Sequence, residues 1–136
     1  MLKDRVAYYH DHCDLNCAEI MFHCANDEWH FDLDDKCYKA IACFGGGAAS
    51  GKFCGAIAGS LAALGEKYIN CTFRKTEGIK ELVKGFITEC EEKLGSLDCA
   101  VLKEKYNVNN SCQPTIELVA EILGGYVEKL DSEKAE

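Results

Sequence analysis

The chain has 136 residues, 48% of them hydrophobic and 28% charged, the balance of one globular domain long enough to bury a core. A net charge of −8 argues against nucleic acid or an anionic membrane surface as the main partner, and no run approaches the roughly 20 apolar residues that cross a bilayer. Ten cysteines without a secretory leader point to a reducing, cytoplasmic setting, where abundant thiols mean metal, catalysis or small core positions rather than a disulfide framework.

A single proline, Pro114, and few β-branched runs favour helices over strands. The expected fold is all-α: a compact single-domain bundle of five to six helices covering residues 1–136. From Leu2 to about Asn26, Val6, Tyr9, Cys13, Cys17, Ile20 and Cys24 recur at helical spacing on one stripe. Asn26 to His30 reads as a turn, followed by a shorter helix from about Leu33 to Ala42 that holds Cys37, with Cys43 at or just beyond its end. Then comes Phe44-Gly45-Gly46-Gly47-Ala48-Ala49-Ser50-Gly51-Lys52-Phe53-Cys54-Gly55-Ala56-Ile57-Ala58-Gly59, a glycine loop running into small residues. Ser50 is an N-cap candidate for a helix opening near Lys52, with Cys54 in its first turn, where the positive helix end favours a thiolate. Gly65 is the expected stop of that helix.

Tyr68 to Arg74 is either a short helix or an extended link. Thr76 is the expected cap of a helix with Ile79, Leu82, Val83, Phe86 and Ile87 inward, ending at Gly95. Ser96 or Asp98 opens a brief helix with Cys99, Leu102 and Tyr106. Asn107 to Ser111 is a polar loop, and the last helix runs from near Gln113 to about Leu130, with residues 131–136 a frayed tail. Its apolar run from Ile116 through Val127 suits either a dimer face or ordinary core packing.

Gly46 to Lys52 fits the first seven positions of a phosphate-binding G-x-x-x-x-G-K loop, but Phe53 stands where Ser or Thr would hold Mg²⁺, and no second strand exists to pair with residues 38–44. Lys52 is better read as positive charge beside Cys54 or as a solvated side chain. His12 and His23 neighbour Cys13 and Cys24, yet no paired C-x-x-C knuckles and no C-x-x-C-H occur, so His10, His12, His23 and His30 read as surface or capping residues. No Ser-His-Asp or H-E-x-x-H pattern is visible, and no catalytic residue is assigned. What remains is sulfur: Cys17, Cys54, Cys99 and Cys112 lie in four separate helical segments, three of them beside glycines or turns. Spacing alone does not bring them together.

These residues resemble the redox-active protein family designated C_GCAxxG_C_C. Cys17-Ala18 matches its early cysteine, Cys54-Gly55-Ala56-Ile57-Ala58-Gly59 its small-residue element, Gly95-Ser96-Leu97-Asp98-Cys99 its Gly…Cys element, and Cys112 its last cysteine. The likeness spans about Asn16 to Leu123. It implies redox activity through the shared cysteines, and a similar domain in split-Soret cytochromes is associated with an iron–sulfur centre and dimerisation; the haem motif of those proteins is missing here.

The reading that joins residues and resemblance is an electron-transfer protein. An iron–sulfur cluster would be held by Cys17, Cys54, Cys99 and Cys112, with Gly46, Gly47, Gly55, Ala56 and Gly59 leaving room for it, and with a redox partner protein and a homodimer in prospect. Zinc is the alternative metal, in a structural interaction module. A thiol–disulfide oxidoreductase or redox sensor using Cys54 is the alternative of another class. Cys13, Cys24, Cys37, Cys43, Cys71 and Cys90 are extra and either enlarge the site, form a second one or pack.

Overall fold

The computed structural model describes residues 1–135, and of Ala135 only the backbone. A 3-10 turn over Leu2–Arg5 leads into seven α-helices: α1 Val6–His12, α2 Cys17–Trp29, α3 Asp35–Ala42, α4 Gly55–Tyr68, α5 Ile79–Leu94, α6 Cys99–Tyr106 and α7 Gln113–Ala135. The all-α expectation holds, with seven helices in place of five to six. Among the described residues pairing of β type is limited to two isolated antiparallel bridges, Phe53 with Asp98 and Val108 with Ser111.

The extra helix arises because the expected first helix is broken in two. Asn16 caps α2 through a full capping box: its side chain accepts from the Glu19 N–H at 3.0 Å, and the Glu19 carboxylate accepts from the Asn16 N–H at 3.0 Å. That local solution outcompetes continuation of α1, so Cys13 sits in the extended break and shares no stripe with Cys17 and Cys24. α2 then runs on through the expected turn to Trp29 and ends where His30 turns left-handed, at φ 55°.

α2 and α4 are the central pair, and small residues let them approach closely. A Cβ on Gly59 would stand 2.6 Å from the Ala18 carbonyl oxygen, so only glycine admits α2 at this spacing. α7 lies along α4, α5 and α6 and closes the core with Ile116, Val119, Ala120, Ile122, Leu123, Tyr126 and Val127. The apolar face of α7 is thus taken up by the protein's own core, not left for a dimer.

Other boundaries move for local reasons. α4 opens at Gly55 with Cys54 as its N-cap residue, not near Lys52, because residues 46–49 turn left-handed and Ser50 donates to the Gly47 carbonyl instead of capping. α4 passes through Gly65 to Tyr68. The 69–78 link holds no helix. Gly78, at φ 79°, precedes α5, while Thr76 donates back to the Thr72 carbonyl. α5 stops at Gly95 as expected, with φ 86°. α7 continues past Leu130 because Asp131 accepts from Tyr68 Oη at 3.0 Å, pairs with Lys67 at 3.6 Å, and Lys134 lies over the Tyr68 ring. Residues 131–135, expected as a frayed tail, are thus helical, and Glu136 lies outside the described residues.

Candidate functional site

Cys17, Cys54, Cys99 and Cys112 line a single cavity, together with Gly55, Ala56, Leu102, Lys103, Thr115 and Ile116. Each cysteine sits at a helix start. Cys17 and Cys99 are the first residues of α2 and α6, and Cys54 and Cys112 immediately precede α4 and α7. Four helix N-termini therefore converge, each carrying the equivalent of about half a positive charge and unpaired N–H groups.

Separate pieces of chain bring these starts together. The antiparallel bridge between Phe53 and Asp98 joins the approach to α4 with the approach to α6: the Cys54 N–H donates to the Leu97 carbonyl at 2.8 Å, and the Cys99 N–H donates to the Lys52 carbonyl. Cys54 and Cys99 thus flank one bridge. Asn109 and Asn110, both left-handed at φ 54° and 61°, make a tight reversal between Val108 and Ser111 that folds α7 back on α6 and returns Cys112 to the cavity. There the Asn107 side-chain amide donates to Cys112 Sγ at 3.6 Å. Cys17 reaches the cavity through the capping box, and a Cβ on Gly55 would lie 2.5 Å from its sulfur.

Of the small residues expected at the site, Gly55 and Ala56 line the cavity. Gly47 is buried behind Cys99, with room for no Cβ between them. Gly46 stands at φ 66° in the turn with open space where a Cβ would be, and Gly59 faces α2. Lys52 is exposed, and the cation on the cavity wall is Lys103, one turn after Cys99. The spacing Cys99-x-x-x-Lys103 on a helix was the signal for it.

Cys54 and Cys99 are buried, at 4% and 6% exposure, while Cys17 and Cys112 are half-buried. Burial pushes the Cys54 thiol up to about 11. The Ala56 and Ile57 N–H groups act against burial without forming a cap of normal geometry, and the Cys17 and Cys99 sulfurs act with it. Desolvation thus outweighs the helix end expected to favour a thiolate. Cys99 is also raised, by burial first, with Lys103 opposing and Cys17 and Cys112 adding.

The donor set is four thiols with no oxygen or nitrogen ligand among them, the chemistry that iron and zinc share. The open volume is about 20 Å³, space for one atom-sized guest. Among the described residues no three Cys, His, Asp or Glu side chains are drawn close enough to grip one ion. The donor chemistry fits a metal–sulfur guest, and a guest of several atoms requires the cavity wall to move outward. Thr115 also lines the cavity; it is 5% exposed and its Oγ1 has no partner, at a cost of about 1–3 kcal/mol for a buried hydroxyl.

The remaining cysteines lie elsewhere. All ten are free thiols. Cys24 and Cys90 are core residues, each pushed up to about 12 chiefly by burial, with Cys90 near enough to Cys54 for their charges to oppose. Cys37 packs beside α2, and Cys43 and Cys71 are exposed. None of the four histidines lines the cavity. His23 is stacked between Tyr38, 3.7 Å away, and Tyr9. His10 forms a chain that the sequence conceals: Nε2 lies 3.1 Å from Ser111 Oγ and Nδ1 lies 3.0 Å from Asp11 Oδ1, tying the end of α1 to the turn before Cys112.

Fold and site together define a small helical protein built around a cluster of thiols. A family model described as "Putative redox-active protein (C_GCAxxG_C_C)" matches residues 15–126, and the chain belongs to that family. No curated protein and no solved structure matches the chain. Among the described residues no helix is long and apolar enough to cross a membrane.

Proposed function

We propose that the protein is an electron carrier whose Cys17, Cys54, Cys99 and Cys112 hold an iron–sulfur cluster. The observation that carries this reading is the arrival of four sulfur atoms from four helix starts on one cavity. A cluster held by thiolates is anionic, and four positive helix ends with free N–H groups offset that charge and favour the reduced state. Such a cluster would supply reversible one-electron transfer when bound. Gly55 and Ala56 leave the wall beneath the sulfurs free of side-chain bulk, and Lys103 adds positive charge at the rim.

Burial also weighs against the dithiol alternative. An attacking thiol needs access and thiolate character, and Cys54 is 4% exposed. Zinc meets the same four donors, and the size of the cavity favours it as the second reading.

The experiment is purification without oxygen, followed by iron, zinc and acid-labile sulfide counts beside a visible spectrum. The expected result is coloured protein with iron and sulfide in comparable amounts, lost in each of Cys17→Ser, Cys54→Ser, Cys99→Ser and Cys112→Ser and retained in Cys43→Ser and Cys71→Ser. Colourless protein with one zinc makes the site structural. Metal-free protein after reconstitution defeats both metal readings.

A further inference from the structure

The cavity contains one polar group that the fold itself does not use. Thr115 is 5% exposed, lines the cavity, and its Oγ1 is buried without a partner. Ser60, the other buried serine or threonine among the described residues, sits on α4 and donates to the carbonyl four residues back, Ala56, at 2.8 Å. The matching carbonyl for Thr115 belongs to Ser111, outside α7, and accepts from the Val108 N–H.

Its surroundings indicate what it is for. The Asn107 amide already donates to Cys112 Sγ, and Cys112 begins the turn in which Thr115 lies. Lys103 brings positive charge to the same wall. Donors and positive ends therefore surround sulfur, a weak acceptor when neutral and a strong one when charged. A bare cation in the cavity has no lone pair for an O–H to meet. We infer that the Thr115 hydroxyl is a hydrogen-bond donor to the negatively charged sulfur of a metal–sulfur guest in this cavity, with Asn107 as its companion at Cys112. The inference rests on the cluster reading above. Thr115 acts here as a positioning and tuning residue.

The test compares wild type with Thr115→Val, which keeps the shape and removes the donor, and Thr115→Ser, which keeps the donor. After anaerobic reconstitution with iron and sulfide, Thr115→Val is expected to shift the oxidised-to-reduced balance about tenfold toward oxidised, a midpoint lowered by about 59 mV for one electron. The more negative reduced state loses the larger share of the bond. Thr115→Ser should stay near wild type. An unchanged midpoint in Thr115→Val overturns the inference. If wild type takes up neither iron nor sulfide, the inference falls with the proposed function, whereas loaded protein with an unchanged midpoint in Thr115→Val overturns the inference alone.

Discussion

Gly55 shows how a single missing side chain builds this site. A Cβ there would meet Cys17 Sγ at 2.5 Å and the Phe44 carbonyl oxygen at 2.8 Å, and the second of these is backbone. Gly55→Ala should destabilise the fold by about 1–3 kcal/mol and push Cys17 away from its companions, read as a lower unfolding midpoint and weaker metal uptake. At His23, burial between two tyrosine rings holds the imidazole below its ordinary pKa, against the pull of Asp27 and Glu19. The unfolded chain therefore takes the proton first as pH falls. Stability is full above about 6.5 and declines as pH drops from there through the lower folded-state value. Denaturant titrations from pH 7.5 to 5 should show that decline, and His23→Phe should flatten it. At this scale the four cysteines are legible by their pattern and Lys103 only through its spacing from Cys99, whereas Thr115 is not legible, because a lone Thr on a helix says nothing until its neighbours are known.

Among the elements, the turn at Gly46–Ala49 departs furthest from ordinary chain behaviour. Ala48 and Ala49 both sit left-handed, at φ 58° and 57°, beside glycines at similar angles. Each such alanine costs about 1–2 kcal/mol relative to right-handed backbone. Ala48→Gly or Ala49→Gly should raise stability by up to about 1 kcal/mol in thermal unfolding, the gain trimmed by the freer unfolded chain. The glycine run announced a loop. Its handedness is hidden, because two alanines offer no local sign of positive φ, and Ser50 therefore looks like the cap of a helix that in fact opens only at Gly55. The split between α1 and α2 was readable in principle, since Asn16 and Glu19 spell a capping box, but the hydrophobic stripe running across it suggested one helix. The end of α5 is readable, because Gly95 acts within its own neighbourhood.

For the whole molecule, the class of fold followed from composition and periodicity, and the meeting of the four thiols did not. That meeting depends on the Phe53–Asp98 bridge and the Asn109–Asn110 reversal, contacts between segments with no spacing rule to reveal them. A guest bound by all four cysteines would pin α2, α4, α6 and α7 at one point. At about 1,000 times its dissociation constant it would add about 4 kcal/mol to stability. Stripping it with a chelator should then lower the unfolding temperature by at least about 8 °C, at about 2–4 °C for each kcal/mol in a chain near this size. Scanning calorimetry before and after chelation measures the difference.

The exposed link at 69–78 has a further consequence. It divides the sequence so that Cys17 and Cys54 fall in the first portion and Cys99 and Cys112 in the second. A cut there touches no helix and leaves two fragments, each with half of the sulfurs and neither with a complete pocket. Reunited, the halves would rebuild the pocket only if α4 and α7 docked correctly, so a metal chromophore emerging on mixing would report fragment complementation by colour alone.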